Sequence, residues 1–112
     1  MRWYRAGTAA LPLLLLAVSQ PAKSEDPSFR LTLTGHRFAP AELTVPANVR
    51  VRLAITNQDP MPAEFESDDF KAEKVLPSGR EVAFTIGPLK PGVYEFHDEY
   101  NEAASKSRLI VK

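Results

Sequence analysis

The sequence contains no cysteine. That absence excludes disulfides, thiolate zinc sites, iron–sulfur clusters, thiol catalysis and the His-and-thiolate ligand set of type 1 copper. Any metal site must therefore rely on oxygen and imidazole rather than thiolate, and only two histidines, His36 and His97, are present. Charge of one sign is not in excess either. The 14 Lys and Arg balance 14 Asp and Glu, so no broad field steers the chain toward nucleic acid. Nor is there a Gly-rich phosphate loop, a nucleophile elbow or a His-rich zinc motif. The one strongly apolar run, Ala9 to Val18, is interrupted by Pro12 and is shorter than the ~20 residues that span a bilayer.

The composition of what remains, 44% apolar and 25% charged over 112 residues, is that of a single folded domain. Arg2 and Arg5 ahead of the apolar run, with small residues after it, mark residues 1–19 as a signal peptide, with cleavage as late as residue 22 as the alternative. Export to the periplasm or the exterior is expected, without a lipid anchor because no cysteine can be acylated, and without stable membrane insertion after processing. Cleavage removes two basic residues and no acidic ones, leaving 12 against 14 and a net charge of −2. Residues 20–28 are polar and proline-bearing and are expected to form a flexible leader, with the folded domain over residues 29–112.

Period-2 patterning starts with the domain. Phe29, Leu31 and Leu33 alternate with polar residues, as do Val49, Val51, Leu53 and Ile55, then Val82, Phe84 and Ile86, then Tyr94, Phe96 and Asp98. Shorter extended stretches cover Ala41 to Val45 and Leu109 to Lys112. Helix is confined to a turn within Ser67 to Lys74 or to the loop at Ala103 and Ala104, because prolines punctuate the rest. These features predict an all-β fold of six or seven strands, a Greek-key β-sandwich.

The order of motifs resembles a small cupredoxin. Phe38 to Ala47 is similar to that family's second-strand signature, Asn57-Gln58-Asp59 to its Asn-x-Asp corner, and Pro88 to Gly92 with Tyr94-x-Phe96 to the approach to its C-terminal ligand loop. In copper-binding members a His follows the corner and a Cys-x-x-His pair follows the Tyr-x-Phe. Here those places carry Glu64, Asp98 and Asn101, so the resemblance does not imply type 1 copper. Residues Pro62 to Ser67, Lys74 to Pro77 and Glu99 to Glu102 also resemble the periplasmic cupredoxin-like domains that accompany bacterial iron-uptake permeases, the EfeO type. That resemblance implies an accessory role in iron or copper uptake, or metal transfer beside a membrane permease or redox partner.

The residues suggest where such a metal would sit. In an extended segment Glu64 and Glu66 share one side, about 6–7 Å apart, with Phe65 on the other, and two such carboxylates repel unless protonated or bridged by a cation. Asp98, Glu99 and Glu102 bring more carboxylates to the same pole. The expected ligands are Glu64 and Glu99, with His36, Glu66 and Asp98 as further candidates. Such an oxygen-rich set suits iron first, with copper, manganese and zinc as alternatives. His97, on the side of Glu95, is expected to face solvent or to cap a loop, and Met61, whose thioether is a donor for Cu(I), is expected to pack. The competing expectation is an edge strand whose charges discourage aggregation, in a metal-free β-sandwich that serves as a binding or structural module. Nothing supplies the electron acceptor that a ferroxidase needs, and no other enzymatic chemistry is indicated.

Overall fold

The computed structural model describes residues 25–112; the expected signal peptide lies outside them. The alternating segments become strands β1 (Ser28–Thr34), β2 (Arg37–Ala39), β3 (Glu42–Val45), β4 (Val51–Asn57), β5 (Ala63–Ser67), β6 (Ala72–Leu76), β7 (Glu81–Ile86), β8 (Gly92–Asp98) and β9 (Ser107–Val111). A 3-10 turn (Glu99–Asn101) and a one-turn helix α1 (Glu102–Ser105) connect the last two strands. One sheet has the order β2-β1-β4-β7 and the other β3-β9-β8-β5-β6, with parallel pairing of β1 with β4 and of β3 with β9. The all-β sandwich expected from the alternation is what forms. Among the described residues no helix is long and apolar enough to cross a membrane.

Between the sheets lie Leu31, Leu33, Leu53, Ile55, Phe65, Phe84, Phe96 and Leu109. Phe65 is central: its ring centroid is 5.1 Å from that of Phe84 and 5.2 Å from that of Phe96. Inward residues of β1, β4 and β8 follow the expected period, because one face of each strand must leave water. Val49 does not. It precedes β4 and is exposed.

Two strands give too little period to be read from the sequence. β2 has only three residues, and β6 is an edge strand in which Glu73, Lys74 and Val75 are all exposed, so it carries no apolar period. The helical turn expected near Ser67 to Lys74 is instead a reversal at residues 68–71 leading into β6, whereas the one at Ala103 and Ala104 is present as α1. The end of the expected leader is fastened down. Ser28 begins β1, Arg52 N–H donates to Pro27 O at 2.8 Å, and Asp26 pairs with Arg50 at 3.2 Å.

The loops at one end are set by the Asn57–Asp59 corner. Asn57, fully buried, donates from Nδ2 to Met61 O and Leu76 O, and its Oδ1 accepts from Asp59 N–H. Asp59 in turn accepts from the backbone N–H groups of Gly35 (2.6 Å) and His36 (2.9 Å). Both residues have positive φ, +58° and +60°, as a two-residue hairpin loop between twisted strands requires.

Candidate metal centre

The fold determines which carboxylates meet. In β5 the residues Glu64 and Glu66 are half-buried on the outer face while Phe65 points into the core. Pairing sets Glu66 between Glu73 of β6 and His97 of β8. The chain then turns after Asp98, and Glu99 folds back so that its Oε2 lies 2.9 Å from Nε2 of His97. Donor atoms of Glu66, His97 and Glu99 all lie within 4.8 Å of one another. His97 is buried and also borders a small cavity of about 100 Å³ with Asp68, Glu95, Glu102 and Lys106.

Electrostatics follow from that crowding. The Glu99 carboxylate beside Glu66 favours a shared proton, and together with burial and repulsion from Asp68 and Glu73 it pushes the Glu66 carboxyl up to about 7. Glu99 moves the opposite way, lowered first by hydrogen bonding with Glu66 and then by His97. A second carboxylate pair lies next to the first: Glu64 raises Glu73, and it accepts a hydrogen bond from Tyr100 Oη at 3.1 Å, which holds the phenol proton and raises Tyr100 as well.

The expected site residues therefore separate into four places. Glu66 and Glu99 come together, but the third member of their group is His97, expected to face solvent or to cap a loop rather than to act as a ligand. Glu64, paired with Glu73 and Tyr100, is not in that group. His36 belongs to the β1–β2 turn, where its Nδ1 is 3.8 Å from Asp59 Oδ2, because Gly35 and His36 form the hairpin loop rather than continuing a strand face. Asp98 is fully buried and is saturated by donors. Its Oδ1 accepts from the N–H groups of Glu64 (3.0 Å) and Tyr100 (3.1 Å), and its Oδ2 accepts from Asn101 Nδ2 (3.1 Å).

Two signals pointed to His97. It stands two residues before Glu99, and in an extended strand it shares the face opposite Phe96. The proximity of Glu66 could not be read, because it depends on pairing residues from distant parts of the chain. Glu73 was concealed with its strand.

The pole formed by Glu64, Asp98 and Asn101 does not fit a copper ion of the type 1 kind. No thiolate is available, Asp98 is enclosed by three N–H donors, and no buried side-chain polar atom among the described residues lacks a partner. The outer group of one imidazole and two carboxylates does fit a divalent cation, by donor type and by mutual distance.

The chain is 30% identical over 104 residues to an uncharacterized protein of Rickettsia prowazekii, covering 91% of this chain and 83% of that one. Its fold is similar to that of a copper binding protein solved by NMR in the apo form, with a TM-score of 0.65 and 25% identity over 76% of this chain and 86% of the other. It is also similar in fold to auracyanin A, a blue copper protein of Chloroflexus aurantiacus, with a TM-score of 0.67 and 12% identity over 79% of this chain and 100% of the other. A cupredoxin-like domain model matches residues 7–111. With two packed sheets, the Asn57–Asp59 corner and the Tyr94-x-Phe96 approach in their expected order, the chain belongs to the cupredoxin-like domain family.

Proposed function

We propose that this protein is an exported metal-binding cupredoxin-like domain that takes up a divalent ion through Glu66, His97 and Glu99 and passes it to a membrane permease or redox partner. The observation that carries the proposal is the convergence of three donor side chains within 4.8 Å, two of them carboxylates that repel until a proton or a cation is shared. Copper(II) is the first candidate. It heads the stability order for nitrogen and oxygen donors, and a similar fold at 25% identity is that of a copper binding protein. Iron, which the EfeO-type resemblance implies, is the alternative cargo on the same donors. With two carboxylates and one imidazole, the group suits a carrier that exchanges its ion rather than a redox centre that retains it.

Calorimetric titration of the protein with Cu(II), Zn(II), Mn(II) and anaerobic Fe(II) near neutral pH tests this. One ion per chain is expected, Cu(II) tightest, with nitrogen and oxygen coordination by electron paramagnetic resonance and no intense thiolate-to-copper band. His97→Ala should abolish the calorimetric signal. If none of the four ions binds at micromolar concentration, the protein is instead a metal-free β-sandwich module.

A further inference from the structure

We infer that Asp98 is a positioning residue, whose enclosed carboxylate holds the Glu99–Asn101 turn so that Glu99 meets His97 and Glu66, and that it takes no metal itself. This rests on the reading of Glu66, His97 and Glu99 as the metal site.

The Glu99 carboxylate meets His97 and Glu66, and both of its neighbours in the chain are fixed. Asp98 Oδ1 accepts from Tyr100 N–H, which clamps the turn just beyond Glu99. The same oxygen accepts from Glu64 N–H, which ties that clamp to β5, two residues from Glu66. Oδ2 takes the Asn101 amide at the far end of the turn. Behind it, the backbone N–H of Asp98 donates to Ser105 Oγ at 2.7 Å, and that hydroxyl donates to Asn101 O at 2.8 Å, bringing α1 into the same network. One carboxylate thus links β5, β8 and the turn. Each of its oxygens is occupied by N–H donors, it has no exposed surface, and a cation could reach it only by displacing those donors. Outer groups that orient metal ligands typically alter affinity by about 10–100-fold when removed.

Asparagine separates positioning from ligation. In Asp98→Asn the amide oxygen still accepts from Glu64 and Tyr100, and the amide nitrogen can donate to Asn101 once that side chain turns over. The negative charge is lost but the turn is kept. Asp98→Ala removes both. Two measurements are needed: the Cu(II) dissociation constant by calorimetry, and, in metal-free protein, the His97 tautomer from long-range proton–nitrogen NMR, in which Nε2–H donation to Glu99 is the signature.

The inference predicts that Asp98→Asn keeps the His97 signature and stays within about threefold of wild-type affinity, whereas Asp98→Ala loses the signature and about tenfold in affinity. Asn101→Ala, which cuts only the Oδ2 contact, should fall between them, and it decides the matter if Asp98→Ala does not fold. Equal loss in Asp98→Asn and Asp98→Ala would make Asp98 a charged ligand and overturn the inference. So would wild-type affinity and an unchanged His97 signature in Asp98→Ala or, should that variant not fold, in Asn101→Ala. If wild-type protein binds no Cu(II), the functional proposal fails by itself, while the His97 signature still tests the positioning role.

Discussion

Glu66 and Asp59 are carboxylates pushed in opposite directions, and the signs make their pH dependence distinguishable. Glu66 is raised to about 7 by Glu99, so the folded state disfavours its charged form. That cost is absent below the ordinary value of 4.5, grows as pH rises through the interval, and is complete above about 7. Glu66→Gln keeps the size and removes the charge; in chelator it should melt higher than wild type at about pH 8 and level with it at about pH 4, as scanning calorimetry will read. Asp59 is lowered, chiefly by the His36 N–H, against burial that raises it. Its contribution is therefore present above the ordinary value of 3.8 and is lost as pH falls through the lower folded value. Asp59→Ala leaves the N–H groups of Gly35 and His36 without their acceptor and should cost about 2 kcal/mol in urea unfolding near neutral pH, less in strong acid.

At the scale of elements, the loops beyond β4 depend on a side chain rather than on strand pairing. Asn57 satisfies two carbonyls and one N–H from three separate segments: the Met61 loop, the end of β6 and its own corner. Asn57→Ala should lower stability by about 3 kcal/mol, since those groups remain buried without partners; equilibrium denaturation checks it. This corner could be read in the sequence as Asn-x-Asp because its bonds are local. β6 could not, because an edge strand with Glu73, Lys74 and Val75 all in water has no period to detect. The adjoining turn at Gly35 and His36 was ambiguous for a related reason: alternation assigns a face only while the strand continues, and here both residues have left-handed backbone.

For the whole molecule, the metal proposal makes binding and stability one measurement. An ion that binds only the folded state stabilises it by about 2.7 kcal/mol at a hundredfold excess over its dissociation constant, so saturating Cu(II) should raise the melting temperature of wild type and leave His97→Ala unchanged. The sequence by itself determined the sandwich, since the inward sets Leu31 and Leu33, Val51, Leu53 and Ile55, and Phe84 and Ile86 must be buried together and prolines forbid helices of any length. It also narrowed the donor chemistry, because a chain without cysteine offers a metal no thiolate and leaves oxygen, imidazole and the thioether of Met61. Which donors meet was decided by tertiary structure alone. Glu66 and His97 are 31 positions apart in the chain and become neighbours only through the register of β5 on β8, while Asp98, acidic like Glu99 and next to it, is turned inward and held by two backbone N–H groups and the Asn101 amide. Residue type reveals what a side chain can bind; strand register and burial decide whether anything can reach it.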